Sequence, residues 1–310
     1  MKTIKAMWRH RFIYLIFLPV LAWYIIFCYM PMFNTDSGGI LLAFKEFRNN
    51  MRFADMNWVG LKWFEKLMGR PDFWIALRNT FVVSFLRLIF EFPLPIIFAI
   101  MLNEVYRSAP KRIFQTILTF PNFLSWVVVV GVLRDLLQMS GLFNGLRDMM
   151  GLEPFNYLNN SSWVANMLLV LLTNVWKTAG WSSIIYLASM ASIDPTLYEA
   201  ATIDGASRWQ CILHVTWPGI RTTAVVLLVL ACGNILDAGF DQLFNLRQPL
   251  NIEHIEILDT YIYKYAFGLG RLNFSFTVAA GLFKSVINFA LLLTANRFAG
   301  VLNGEGEKVF

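Results

Sequence analysis

Residues 12–30 read FIYLIFLPVLAWYIIFCYM, nineteen residues without a charge, inside a charge-free run that extends from Phe12 to Thr35. A helix needs about 20 apolar residues to cross the hydrocarbon of a bilayer, because only a helix satisfies its own backbone there. This stretch meets that length, and the question is whether it stands alone. Five further stretches do the same: about 80–102, 113–136, 163–190, 222–244 and 274–297. The chain therefore reads as an all-α integral membrane protein with six transmembrane helices.

Composition agrees with that solvent. Of 310 residues, 57% are hydrophobic and 15% charged, against about 25% charged in a soluble domain. The net charge of +6 comes from small basic groups that flank apolar runs, with no basic stripe interleaved with aromatics, so nucleic acid is not an expected partner. Cys28, Cys211 and Cys232 are far apart and read as small apolar residues rather than as a disulfide or zinc framework. His10, His214 and His254 fall in separate segments and form no metal or acid–base site.

Basic residues resist translocation, so they orient the spans. Lys2, Lys5, Arg9 and Arg11 crowd the N-terminus, and Arg107, Lys111 and Arg112 follow the second span. Both termini are then cytoplasmic: a basic segment 1–11, a single membrane domain 12–298, and a tail 299–310. Residues 31–79 form an external loop whose basic residues are mixed with acidic ones, and residues 191–218 form a cytoplasmic loop between spans four and five. MKTIKAMWRHR resembles the start of a secretory signal, but the apolar run that follows is too long and ends in CYMPMF, so it is expected to remain as the first span.

The loop at 191–218 is unusually organised. Asp194-Pro195 is a helix start, since aspartate accepts from free first-turn amides and proline suits the first helical position. Asp204-Gly205 ends that helix, because glycine takes the left-handed conformation without steric cost. Ser207 and Gln210 form a capping box for a second helix expected to run to Pro218. Its apolar face, Trp209, Ile212, Leu213 and Trp217, needs cover: either lipid headgroups or a partner protein.

The residues of this loop carry a resemblance. Glu199-Ala200-Ala201, Gly205 after three residues, Val215 after nine more, and Trp217-Pro218 resemble the EAA loop of binding-protein-dependent ABC importer permeases. Val215 stands for the usual isoleucine and Trp217 for the leucine. YEAATIDGASRWQ is most similar to the carbohydrate and oligosaccharide branch, where a departure at the Trp217 position is common. WVGLKWF at 58–64, FWIALRNT at 73–80, FPNFLSW at 120–126, LDTYIYKY at 258–265 and FSFTVAAGLFKSVI at 274–287 resemble the same branch, so the likeness covers nearly the whole chain.

That resemblance implies a permease subunit in a bacterial inner membrane. It would import a sugar or oligosaccharide, delivered by an extracytoplasmic binding protein, by ATP-driven alternating access. The implied partners are a second permease, as a heterodimer in preference to a homodimer, two cytoplasmic ATPase subunits, the binding protein and membrane lipid. The loop would be the ATPase-coupling element, through Glu199, Ala200, Ala201, Asp204, Gly205, Ala206 and Trp209. The chain is not expected to be an enzyme or to bind a cofactor itself. ATP and magnesium would sit on the partner subunits, because no GxxxxGK[ST] loop occurs here and GEGEK at 304–308 has the wrong spacing.

Ionisable residues inside spans are costly and mark bundle interiors or water-filled paths. Candidates for a substrate path are Lys177, Asp237, Asp241 and Lys284 with Gln242 and Asn245, and Trp126, Trp176, Trp181 and Tyr186 as stacking surfaces. The same aromatics suit an interfacial belt. Arg87 and Glu91, four apart on one helix face, either neutralise each other or serve substrate. The alternatives are a permease of the same kind for a non-carbohydrate solute, an ion-coupled transporter, and a membrane enzyme, for which convergent catalytic groups are missing.

Overall fold

A computed structural model describes residues 11–33, 38–48, 51–105, 107–268 and 273–302. Lys2, Lys5, Arg9 and the GEGEK tail lie outside the described residues. Among those described the chain is helical, with one isolated antiparallel bridge between Lys45 and Trp58 and no strand. Among the described residues six segments are long and apolar enough to cross a membrane: Leu15–Phe33, Pro71–Asn103, Trp126–Met149, Trp163–Ala191, Arg208–Gly233 and Phe274–Arg297. The chain forms two compact units, Met1–Arg70 with Ile262–Phe283, and Pro71–Tyr261 with Lys284–Phe310.

In the first unit, the span Leu15–Phe33 has none of its residues buried within the chain. Its apolar surface is left for lipid or another subunit. Residues 38–48 and 51–70 are folded rather than loose. Lys45 donates to the Phe53 carbonyl at 2.8 Å with its ammonium 4.2 Å from the Phe53 ring centre, and the Trp63 indole donates to the Lys45 carbonyl at 2.9 Å. Leu42, Phe53 and Met56 make a small core against Phe47, Phe274 and Val278.

The second unit is built around the 29-residue helix Trp163–Ala191, whose first turn is capped by the Ser162 hydroxyl. In lipid there is no hydrophobic drive to bring helices together, so close packing and polar contacts must do it. Ile96, Ala99, Tyr186, Met190, Ile220 and Ala224 form one buried cluster. Val83, Val130, Val170, Leu243, Leu246 and Ile257 belong to another.

Three stretches that read as uninterrupted spans are broken. The stretch 80–102 turns at Glu91 and Phe92, between the helices Pro71–Phe90 and Pro93–Asn103. The stretch 113–136 divides into Ser108–Thr119, a 3₁₀ turn Phe120–Phe123 and Trp126–Leu137. Pro121 removes an amide from the ladder, and Ser125 caps the new helix by accepting from Val128 N–H at 3.3 Å. The stretch 222–244 divides at Gly233, where Trp217–Gly233 ends, and resumes as Phe240–Leu246. The turn between them has its Leu236 amide satisfied by the Asn288 side-chain oxygen at 3.1 Å. Non-helical backbone is tolerated at membrane depth only where protein or water satisfies it.

The helix expected to stop at Pro218 continues. Arg208–Cys211 passes through a π turn, Ile212–Thr216, into Trp217–Gly233. A proline clashes with the carbonyl four residues back in a regular helix, and the widened turn gives the ring its room.

Candidate functional site

Two places in the second unit concentrate chemistry. The first is the helix pair between the fourth and fifth spans. Asp194 accepts from Thr196 N–H at 2.9 Å, which starts Pro195–Ile203. That backbone hydrogen bond, with one from the Thr196 side chain, holds the Asp194 carboxyl below its usual range. The helix ends in a Schellman turn: Ala206 N–H donates to the Ala201 carbonyl at 2.9 Å and Gly205 N–H to the Thr202 carbonyl at 3.1 Å. Gly205 sits at φ +79 with open space where a Cβ would lie, so the backbone angle alone demands glycine.

Ser207 and Gln210 then complete both halves of the capping box. Tyr198 and Thr216 hydroxyls meet at 3.0 Å and tie the first helix to the π turn. The result is a rigid tip with its side chains outside. Glu199, Ala200, Asp204, Gly205 and Trp209 are exposed, and Ala201 and Ala206 are half-buried. Ile203 is 86% exposed and Trp209 66%. Large apolar groups on a tightly bonded tip mark a surface made to be covered.

The second place is a cavity of about 290 Å³ whose lining includes Ser84, Arg87, Glu91, Ser182, Asn234 and Asp237. An adjoining cavity of about 180 Å³ shares Glu91 and Ser182 and adds Tyr186. Arg87 is its structural centre. Its guanidinium donates to Gln242 Oε1, and its Nε lies 3.7 Å from Glu91 Oε1. Gln242 in turn donates to the Val170 carbonyl and the Thr173 hydroxyl, both at 2.7 Å, while Asn174 donates to Glu91 Oε2. At Gly239, φ +85, a Cβ would lie 2.5 Å from an Arg87 nitrogen, so glycine is needed for the guanidinium to pack there.

Ser84 Oγ, Arg87 Nε and Glu91 Oε1 are buried without hydrogen-bond partners. Buried polar atoms left so are costly, and these three belong to residues that line the cavity. Because Arg87 is paired with Glu91, the cavity presents hydrogen-bond donors and acceptors rather than an unpaired cation. Among the described residues no three His, Cys, Asp or Glu side chains converge as metal ligands do.

The expected path residues are not gathered in one place. Asp237 and Tyr186 line the cavities, and Gln242 acts behind Arg87. Lys284 bridges Asp237 and Asp259, the latter at 2.6 Å. Lys177 is buried and donates to the Asn122 carbonyl at 2.8 Å, with its ammonium 5.5 Å from the Trp126 ring centre; it satisfies the break in the third span. Trp176 and Trp181 are exposed, the latter edge-on to Phe123. Asp241 is exposed, and its carbonyl accepts from Asn245 at 2.7 Å. Sequence reasoning passed over Ser84, Thr178, Ser182 and Asn234. The spacing Ser84, Arg87, Glu91 along one face of an apolar helix was the available signal.

Comparison with known proteins places these features in a family. Residues 91–300 match the family described as "Binding-protein-dependent transport system inner membrane component". The chain is 40% identical over 299 residues to the polygalacturonan/rhamnogalacturonan transport system permease protein YteP of Bacillus subtilis (strain 168), covering 96% of this chain and 90% of the relative. Among solved structures it is similar to a chain of a bacterial ABC transporter involved in the import of the acidic polysaccharide alginate, with TM-score 0.83 and 35% identity, covering 96% and 98% of the two chains. A bacterial alginate ABC transporter in complex with an alginate pentasaccharide-bound periplasmic protein gives TM-score 0.82 at 35% identity, covering 96% and 97%.

Proposed function

This chain belongs to the family of binding-protein-dependent transport system inner membrane components, and on that premise we propose how its two sites divide the work of an importer. It is a non-catalytic, multi-pass inner-membrane permease subunit. ATP and magnesium act on separate ATPase subunits, and the tip at 194–217 is the surface those subunits grip. Glu199 and Asp204 supply charge, Ile203 and Trp209 supply apolar contact, and Gly205 sets the bend between them. Both termini and this tip face the cytoplasm.

In this reading the cargo is an oligosaccharide handed over by an extracytoplasmic binding protein. The cavity around Arg87 and Glu91 meets its hydroxyl groups. Two of the similar proteins handle galacturonan or alginate, and oligomers of that acidic kind are the first cargo to test. The path is completed by a second permease subunit, a heterodimeric partner, against which the uncovered first span can pack. Closure of the ATPases on ATP pulls the tips together and reopens the cavities to the other side, which is alternating access.

The observation that supports this most is the rigid tip itself, since 86% exposure of Ile203 on a doubly capped turn has no use within the chain. Uptake of labelled oligogalacturonide into vesicles holding the assembled complex and binding protein provides the test. Uptake that needs ATP and survives collapse of proton and sodium gradients is expected. Uptake without ATP that follows an ion gradient would replace this reading with an ion-coupled transporter.

A further inference from the structure

A second opening in the same unit has different chemistry. Between the helices Pro93–Asn103 and Ser108–Thr119 lies a groove of about 300 Å³ whose lining, including Phe98, Met101, Val105, Phe114 and Ile117, is entirely apolar. It is open: Met101 and Ile117 are each 62% exposed and Phe114 52%. It contains no group that would hydrogen-bond a sugar, so it does not extend the cargo cavity. It is also too small for a helix, which is about 10–12 Å across with its side chains. A single hydrocarbon chain fits its shape and polarity.

One end of the groove is charged. Arg107 precedes the helix Ser108–Thr119, and Lys111 and Arg112 lie in its first turns. Lys111, Phe114 and Leu118 follow i, i+3, i+7 spacing, so the ammonium and two groove-lining side chains share one helix face. Among the described residues none of the three cations has an ion-pair partner. Glu104 is the only acidic residue between 92 and 134, leaving a local excess of positive charge. Basic residues at the end of a lipid-facing helix attract anionic headgroups.

We propose that this groove binds one acyl chain of an anionic phospholipid, with the phosphate held by Lys111 together with Arg107 and Arg112. The apolar wall selects a lipid over a free phosphate, and the unpaired cations select an anionic lipid over a zwitterionic one. The bound chain bridges the ends of two consecutive helices, one of which lines the cargo cavity through Pro95.

The assembled complex, exchanged into nanodiscs with equal amounts of phosphatidylglycerol and phosphatidylcholine of the same chains, can be examined by native mass spectrometry. Retention of one phosphatidylglycerol per chain in preference to phosphatidylcholine is expected. Lys111→Gln with Arg112→Gln should weaken that retention about twenty-fivefold, taking roughly fivefold per cation, while Arg52→Gln, an exposed cation elsewhere, leaves it unchanged. Equal retention of both lipids by the unaltered complex would overturn the proposal without recourse to any variant. So would unchanged retention in the double variant. Efficient disulfide cross-linking from Ile117→Cys to a second permease subunit would assign the groove to a protein interface instead.

Discussion

The tip at 194–217 and the cavity around Arg87 are ordered at different ranges along the chain. The tip is fixed by hydrogen bonds between residues 2 to 18 apart. The cavity is fixed by bonds between residues 69 to 155 apart. The first can hold its shape while the spans move, as a handle must. The second depends on how three helices meet, so it changes when they do. A transporter needs both kinds of order, one to receive force and one to respond to it.

The cavity is the more sensitive of the two to a single substitution. Arg87→Leu leaves Glu91 without its cation and Gln242 Oε1 without its donor, and removing one partner of a buried pair costs about 3–5 kcal/mol. The expected outcome is a large loss of thermal stability of the complex and of uptake, with partial recovery in Arg87→Leu combined with Glu91→Leu. Melting curves of the purified complexes check this; equal stability of Arg87→Leu and the unaltered chain would remove the network from its central place.

Substitution at the tip is milder for stability and decisive for coupling. Gly205→Trp forces a side chain into a left-handed conformation at about 1–3 kcal/mol, and the position of its Cβ is open. The chain should insert and bind its second permease normally, while cargo-stimulated ATP hydrolysis falls at least tenfold, as roughly 1.4 kcal/mol of lost docking would give. Ser207→Ala removes one half of the capping box at a cost of about 1 kcal/mol. Hydrogen exchange should rise in 207–211 and leave 84–91 unchanged.

The smallest effect is a pH dependence. Asp194 has its carboxyl held low by the Thr196 amide, so its cap is fully present above the ordinary carboxylate range and is lost as pH falls through the lowered folded value. Amide exchange at 195–198 should therefore quicken on acidification. Asp194→Asn should keep the cap and abolish that dependence.

The same difference in range explains what the sequence could disclose. Asp194, Gly205 and the Ser207–Gln210 pair announce their roles through spacing of a few residues, and each takes the conformation that its spacing predicts. Six spans were likewise legible from the length of apolar runs. The breaks at Pro121 and Gly233 were not, because apolar composition continues across them and the groups that satisfy the freed backbone, Lys177 and Asn288, are 55 and 52 residues away. Lys177 looked like a substrate residue for the same reason: an intramembrane cation declares that it has a partner without declaring which. Arg87 and Glu91 were visible as a pair, but their place in a cavity depended on Gln242 and Asn174.

The protein that covers the tip decides where force enters the chain. With Ile203→Cys as an accessible thiol in the assembled importer, a short bifunctional reagent should join this chain to an ATPase subunit, with a yield that changes when ATP is added. Cross-links to the binding protein, or a thiol that reacts only with lipid-soluble reagents and joins no ATPase in either nucleotide state, would contradict the assignment of the tip as the place where force enters.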